Sequence, residues 1–508
     1  MNTSTNFLKR KEVLLRGSYK VALLGIVGIF SQISTIVIGV FLVRYFTQEV
    51  YGTFRQASLI VSTIAFIVTL NIPSSLLYFY PNLSIGEKKG LFLQTIIILT
   101  MLGLAGTVSV FFFSDYISLK FSNPALKQIL PFFSPYVFFQ VVVSFVAAML
   151  MGLDKYKEAS VVQIIIPFGN LFVIVTGILF EANLLMLMQI ITLYMGVQAV
   201  VFVLYSFLQY KGIKAKWNKQ FICKQLAYSI PLGISGLIWF SGKEIDKYFL
   251  AVFFSPSIFA LYVVGALEIP MFRDISTAIS SVLIPQISGL YNEKKKKIIL
   301  TLWKEVIRKS MLIFLPSFGL LYILSESLIA VVYTEKYIDA AVVFKIYLLM
   351  ICLRIFNPQI IILGVGKTRI LFINSIVFVI VNIGLNFWFL RVLKLGITGP
   401  AISTIISYMA ITSIAMIMAC RYLEISFKKL FPFKDFFKIS STTLISSLVT
   451  IFLFSLIKDY FLKSFVYGIS FICIYLFVSW LLRVFTEDDI NLIKEQIKIT
   501  CNRFSIFN

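Results

Sequence analysis

Runs of about twenty apolar residues recur along the whole chain, separated by short polar or basic breaks, and this pattern leaves few folds open. The hydrocarbon core of a bilayer, about 30 Å thick, is crossed by a helix of about 20 apolar residues. The runs lie near 18–43, 54–80, 90–113, 131–153, 159–180, 184–208, 227–251, 257–287, 310–331, 340–363, 370–390, 398–420, 439–457 and 464–482. They predict an all-α polytopic membrane protein of about fourteen transmembrane helices. The least secure divisions fall in 227–287 and 340–390. A soluble domain carries about 25% charged residues, whereas this chain of 508 carries 14%, with 59% hydrophobic. The first run is too long for a signal-peptide core of about 7–15 residues and lacks a small-residue cleavage site, so it reads as span one rather than a removable leader.

The formal charge of +23 is a membrane signature here. Lys and Arg collect in cytoplasmic loops, and alternate loops are basic: Lys9 to Lys20, Lys88 and Lys89, Lys155 and Lys157, Lys211 to Lys224, Lys294 to Arg308, Lys367 and Arg369, Arg421 to Lys438. Both termini are therefore expected inside, in a cytoplasmic inner membrane. No polar domain offers a nucleic-acid surface. From Glu487 the tail sets Ile490, Ile493, Ile497 and Ile499 beside Lys494, Lys498 and Arg503, a short amphipathic pattern suited to the inner leaflet, with a frayed polar tail as the alternative.

No histidine is present, which removes the usual base for nucleophilic catalysis and the commonest metal ligand. Cys223, Cys352, Cys420, Cys473 and Cys501 have neither disulfide-framework nor metal spacing. Gly366-Lys367-Thr368 imitates the end of a phosphate-binding loop, but the glycine needed five residues earlier is Ile361. The sequence thus predicts no enzyme, no metal and no cofactor.

The chain also repeats itself. Gly25-Ile26-Val27-Gly28 returns as Gly233-Ile234-Ser235-Gly236, Glu87-Lys88-Lys89 as Glu293-Lys294-Lys295, and Gly152, Lys155, Lys157 and Asn170 as Gly364, Lys367, Arg369 and Asn382. The offset stays near 210. Six spans per repeat is an even number, as in transporters with parallel repeats. The expected organisation is an N-terminal lobe of spans one to six (1–210), a C-terminal lobe of spans seven to twelve (211–421), and two added spans with a tail (422–508).

With Val43-Arg44, Glu49-Val50-Tyr51-Gly52, Tyr228-Ser229-Ile230-Pro231-Leu232, Ile245-Asp246-Lys247 and Gly364-Val365-Gly366-Lys367 in this order, the chain resembles the polysaccharide (O-antigen type) flippases of the multidrug/oligosaccharidyl-lipid/polysaccharide exporter superfamily. The resemblance implies two six-helix lobes, often with two extra helices, that move a polyprenyl-pyrophosphate-linked oligosaccharide from the inner to the outer leaflet by alternating access. Membrane lipids, a polysaccharide polymerase and chain-length machinery are its expected partners. A flippase for a lipid-linked peptidoglycan precursor and a cation-coupled multidrug exporter are the alternatives. The latter class typically relies on a buried acid, and Glu49, Glu87, Asp115, Asp154, Glu158 and Glu181 of the first lobe all fall in loops.

A pyrophosphate needs cations, and ionisable residues inside spans face the protein interior by default. Arg55, Lys243, Lys247, Arg273 and Arg354 are the expected cationic cleft, with Glu244, Asp246, Glu268 and Asp274 as ion-pair or ion-coupling partners; the alternative for Lys243, Glu244, Asp246 and Lys247 is a neutral ion-pair cluster that locks span seven to span eight. In the second lobe, Lys345 included, five cations face these four acids and leave one positive charge over. Arg354, deep and without an acid on its own helix, is the expected owner of that charge, with a structural pair to Glu268 or Asp274 as the alternative. Lys345 sits near a helix end, where its stem can snorkel to the interface. Ser31, Gln32, Ser34, Thr35, Gln140, Asn170, Asn357, Asn382 and Asn386 are further polar candidates, for sugar contact or interhelical hydrogen bonds. Pro73, Pro167, Pro231, Pro270, Pro285 and Pro358 are expected to mark bends.

Overall fold

The computed structural model describes residues 25–217, 220–487, 489 and 491. The N-terminal basic cluster, the start of the first span, Cys501 and most of the 487–508 tail lie outside the described residues.

Among the described residues the chain is helical throughout, because a backbone in hydrocarbon must satisfy its own polar groups. The first lobe comprises α1 (Gly25–Tyr45), α2 (Gln48–Thr69), α3 (Ile72–Phe79), α4 (Ile85–Phe112), α5 (Ser114–Lys120), α6 (Ala125–Phe133), α7 (Pro135–Val143), α8 (Phe145–Gly152), α9 (Tyr156–Leu179) and α10 (Leu184–Leu208). Then follow α11 (Gln220–Phe253), α12 (Pro256–Gly265), α13 (Pro270–Asn292), α14 (Lys296–Tyr333), α15 (Ala340–Tyr347), α16 (Leu349–Arg354), α17 (Gln359–Gly364), α18 (Thr368–Phe387), α19 (Thr398–Leu423), α20 (Phe427–Leu430), α21 (Phe433–Phe454) and α22 (Tyr460–Leu481). Some helix starts carry side-chain caps. Ser84 and Glu87 form a capping box on α4, Asn183 accepts from Met186 N at 2.9 Å, and Asp459 accepts from Leu462 N at 2.7 Å.

Among the described residues, 12 helices are long and apolar enough to cross a membrane. The two remaining runs of the sequence, 257–287 and 340–363, are helical but broken. Span eight is interrupted between α12 and α13, at Ala266 to Ile269, and span ten between α16 and α17, at Ile355 to Pro358. Three of the six prolines named above stand at starts: Pro73 in the first turn of α3, Pro270 at the first residue of α13, and Pro358 capping α17. A missing N–H costs nothing in a first turn. Pro167, Pro231 and Pro285 lie inside continuous helices.

The chain divides into two compact units between Val263 and Val264. In the first, α11 packs on α3 and α2. A Cβ at Gly233 would stand 2.8 Å from the carbonyl oxygen of Leu70, so only glycine permits this approach. Gln225, fully buried, cements the contact: its amide donates to Ser75 Oγ at 2.9 Å and Thr95 Oγ1 at 2.8 Å, and its carbonyl accepts from Gln94 at 2.8 Å. The span-seven charges thus share a unit with Arg55, whereas the sequence boundary at 210/211 grouped them with the later helices.

In the second unit, Phe272, Trp303, Phe314, Phe344 and Ile361 belong to one buried core. The added helices α21 and α22 pack on α14.

The repeat is visible inside each unit. Gly152 closes α8 where a Cβ would meet the Tyr80 ring at 2.8 Å, and Gly364 closes α17 where a Cβ would meet Ile287 at 2.5 Å. Each glycine seats the end of one span against the end of another. The following turns also match: Lys155 N donates to Leu150 O at 2.8 Å and Lys367 N to Ile362 O at 3.0 Å. Both lysines then cap a helix, with φ −94° in each case.

Candidate functional site

The two helix breaks of the second unit meet at one ion pair. Arg354 ends α16, Glu268 lies in the non-helical segment before Pro270, and the guanidinium Nη2 donates to the Glu268 carboxylate. Both side chains remain about a quarter exposed, at 23% and 25%. One backbone group released by the span-ten break finds a side-chain partner, as the membrane interior requires: Trp303 Nε1 donates to Phe356 O at 3.3 Å. Beside it Asn357, held at φ 29°, donates from its side-chain Nδ2 to Ser280 Oγ at 3.1 Å.

This pair borders a polar cavity of about 200 Å³, lined by Ser276, Thr277 and Ser280 of α13, by Met350, Leu353, Arg354, Asn357, Pro358 and Gln359 around the break, and by Tyr408 and Thr412 of α19. Leu353 and Thr412 also line a second space of about 610 Å³. That groove is apolar, walled by Phe356, Met409, Met416, Ile417, Ile425 and Phe427, with Arg421 and Glu424 among its lining residues.

The remaining charges of the expected cleft have partners of their own. Lys247 bonds Glu244 at 2.5 Å. Asp246, 1% exposed, accepts from the Tyr262 hydroxyl of α12 at 2.5 Å, so the cluster ties span seven to span eight. Lys243 rests 5.9 Å from the Trp239 ring centroid. Arg273 pairs with its neighbour Asp274 at 3.5 Å, both half-exposed. Lys345 bonds Glu326 of α14 at 2.7 Å. Glu326 was missing from the charge balance, and its inclusion removes the surplus that singled out Arg354. Arg354 is thus a paired cation on a polar cavity rather than a lone one. Arg55 sits on α2, partly buried, near the Tyr51 hydroxyl. Tyr262 and Glu326 were the partners missed, one because hydroxyls carry no charge signal and the other because Glu326 follows sixteen residues of apolar span.

The polar candidates divide similarly. Ser34 Oγ donates to Pro167 O at 2.9 Å, Asn382 donates to Thr404 Oγ1 at 3.2 Å, and Asn386 bonds Asn382 at 2.6 Å, all interhelical or helix-internal glue. Gln140 and Asn357 instead reach cavities. Among the described residues no cluster of acids and cysteines has the geometry to hold a metal ion. Cys223, Cys352, Cys420 and Cys473 are free thiols.

Broken spans, paired intramembrane charges and a polar cavity within a helical repeat define a polytopic α-helical membrane protein. Residues 41–342 match the model of a family described as polysaccharide biosynthesis protein, and the chain belongs to that family. Its fold is similar to that of the lipid II flippase MurJ in an inward closed conformation, with TM-score 0.71, 18% identity, and coverage of 91% of this chain and 99% of that one. It is also similar to an inward-facing multidrug resistance MATE family transporter of the MOP superfamily, with TM-score 0.65, 12% identity, and coverage of 78% and 94%. In sequence it is 24% identical over 364 residues to an uncharacterised membrane protein of Methanocaldococcus jannaschii, covering 67% of this chain and 68% of that protein.

Proposed function

We propose that the chain carries a polyprenyl-pyrophosphate-linked oligosaccharide from the inner to the outer leaflet of the cytoplasmic membrane by alternating access, feeding polysaccharide export. One observation carries this reading: the Arg354 cavity opens beside the apolar groove, sharing Leu353 and Thr412 with it. The substrate has that same division, an anionic and polar head joined to a long hydrocarbon. A guanidinium offers five donors and grips phosphate in a bidentate way that an ammonium cannot. Nη2 of Arg354 donates to Glu268, and a phosphate in the cavity competes with that carboxylate for the guanidinium. Polyprenyl in the groove keeps the tail in hydrocarbon while the head leaves it. Family membership supports the polysaccharide pathway, and the fold it shares with MurJ keeps a peptidoglycan-precursor flippase as the second reading, since both cargoes are lipid pyrophosphates. A polar cavity headed by arginine suits a cationic drug poorly.

The test is transport by the purified chain in proteoliposomes, offered undecaprenyl-pyrophosphate-linked N-acetylglucosamine, lipid II and ethidium separately. Translocation of a lipid pyrophosphate is expected, and the preferred head separates the two readings. Arg354→Ala should reduce it about tenfold or more at equal insertion, the loss of one charge-assisted contact of about 1.5–3 kcal/mol, and Arg354→Lys should restore part of it. Ethidium transport without lipid translocation, or full activity in Arg354→Ala, would sink the assignment.

A further inference from the structure

The first unit holds a cavity of about 420 Å³ between the α2–α3 corner, α7 and α11, and its chemistry differs from that of the Arg354 cavity. No charged side chain lines it. A pyrophosphate therefore has nothing to bind there. Its polar atoms are amides and hydroxyls: Asn71 at the rim, Gln140 in the wall, and Ser62, Thr69 and Ser144 beside them.

These groups are not used up by the fold. Thr69, Ser62 and Ser144 each donate their proton to a backbone carbonyl, at 2.6, 3.2 and 2.6 Å, which leaves their lone pairs as acceptors. Asn71 Oδ1 accepts from Ser74 at 2.7 Å, and its NH2 group adds two donors. Gln140 Oε1 is buried with no donor among the described residues, and such an atom calls for an explanation in a native structure. The remaining wall is Ala65, Pro73, Gly233 and Gly236 with two aromatic rings. Phe66 and Phe240 stack at 4.4 Å with their planes 15° apart, and Phe66 is 40% exposed.

The corner that opens this space is conformationally costly. Leu70 and Asn71 are consecutive non-glycine residues in the left-handed region, at φ 47° and 54°. Such strain amounts to about 1–3 kcal/mol per residue and concentrates at functional sites. Gly233 of α11 then presses on the Leu70 backbone and fixes the corner in place. A neutral ring bearing hydroxyls on its edge and C–H groups on its face meets each of these features: amides and hydroxyl lone pairs for the edge, a phenyl surface for the face.

We infer that this cavity of the first unit is a binding subsite for an uncharged sugar of the lipid-linked glycan. The inference rests on the lipid-pyrophosphate reading and assigns the head that reading leaves open.

The test compares binding of two probes to the full chain in nanodiscs: undecaprenyl pyrophosphate, and the same lipid bearing glucose, galactose or N-acetylglucosamine. The wild type should bind at least one sugar-bearing lipid about tenfold or more tighter than the bare lipid. Gln140→Leu and Phe66→Ala should bring that ratio towards one while affinity for the bare lipid stays the same. Asn71→Gly, which keeps the left-handed corner and removes only the rim amide, should lower it severalfold, and it decides the matter if either of the other variants fails to bind the bare lipid. A ratio that is unchanged or raised in the variants overturns the subsite, as does a wild-type ratio of one for all three sugars. If the wild type binds neither bare nor glycosylated lipid, the substrate reading falls and this subsite with it. Loss of Arg354 should weaken both probes equally, which separates failure of the pyrophosphate site from failure of the sugar site.

Discussion

Arg354 closes α16 and Glu268 lies in the segment between α12 and α13, so the ion pair joins the two places where a span loses its helix. An incoming phosphate competes with the carboxylate for one guanidinium. Glu268→Gln should therefore bind undecaprenyl pyrophosphate severalfold tighter in nanodiscs while turning over more slowly, because release loses its competitor. Unchanged affinity in this variant would make the pair purely structural. Breaking a buried pair costs about 3–5 kcal/mol and an exposed one about 0–1, so at a quarter exposure each single neutralisation should cost about 2 kcal/mol of thermal stability. The swap Arg354→Glu with Glu268→Arg should recover that stability without recovering transport. At this scale the sequence was only partly legible. It supplied every charged residue of the site, but the choice of Arg354 as a lone cation failed on Glu326, whose bond to Lys345 spans 19 residues and two helices.

Whole helices were easier to read than their interruptions. The offset of 212 between Gly152 and Gly364 is plain in the sequence, because close contacts between helix ends tolerate only glycine and so leave a mark there. Gly364→Val should overpack against Ile287 and cost about 1–3 kcal/mol, lowering the melting temperature of the detergent-purified chain. Ile287→Ala in the same chain should return most of it; no rescue would mean the glycine is needed for another reason. The breaks at 266–269 and 355–358 left a weaker trace, since a broken span keeps its apolar composition and half of the prolines that hinted at bends sit in intact helices. The added helices show the limit from the other side. They are tied at one end by Arg308 of α14, which bonds Asp489 at 2.5 Å and lies 3.6 Å from Asp435, contacts between residues up to 181 positions apart that no local pattern reveals. Burial pushes the Asp489 carboxyl up, but Arg308 and the backbone and hydroxyl of Thr486 outweigh it and hold it at about 2. A depressed pKa contributes stability that is complete above the ordinary aspartate value of about 3.9 and is lost as pH falls from there through about 2. The melting-temperature gap between wild type and Asp489→Asn should thus stay constant from pH 8 to 5 and close between about 4 and 2.

For the molecule as a whole, the number of apolar runs and their basic flanks determine which loops share a side, and the broken spans matter to that parity. If the chain crosses only at the 12 unbroken helices, the segments 257–287 and 340–363 are re-entrant or peripheral. If they cross despite their breaks, there are fourteen crossings. An even count places both ends on one side in either case, so end-labelling alone cannot discriminate. Loops can. Span nine, α14, lies between the two broken segments, and dropping both inverts it alone: the α14–α15 turn at Glu335 to Tyr337 changes sides, whereas the turns at Lys155 and Lys367 stay where they are. With fourteen crossings and a cytoplasmic N-terminus, cysteines placed at Lys157 and Arg369 should resist a membrane-impermeant maleimide added outside cells, while one at Lys336 should react. Basic residues at the α13–α14 turn, Lys294 to Lys297, favour this arrangement by the positive-inside rule. Labelling from outside in the α13–α14 turn, with protection at Lys336, would mean that spans eight and ten do not cross, and would require a different path for any head group passing Arg354.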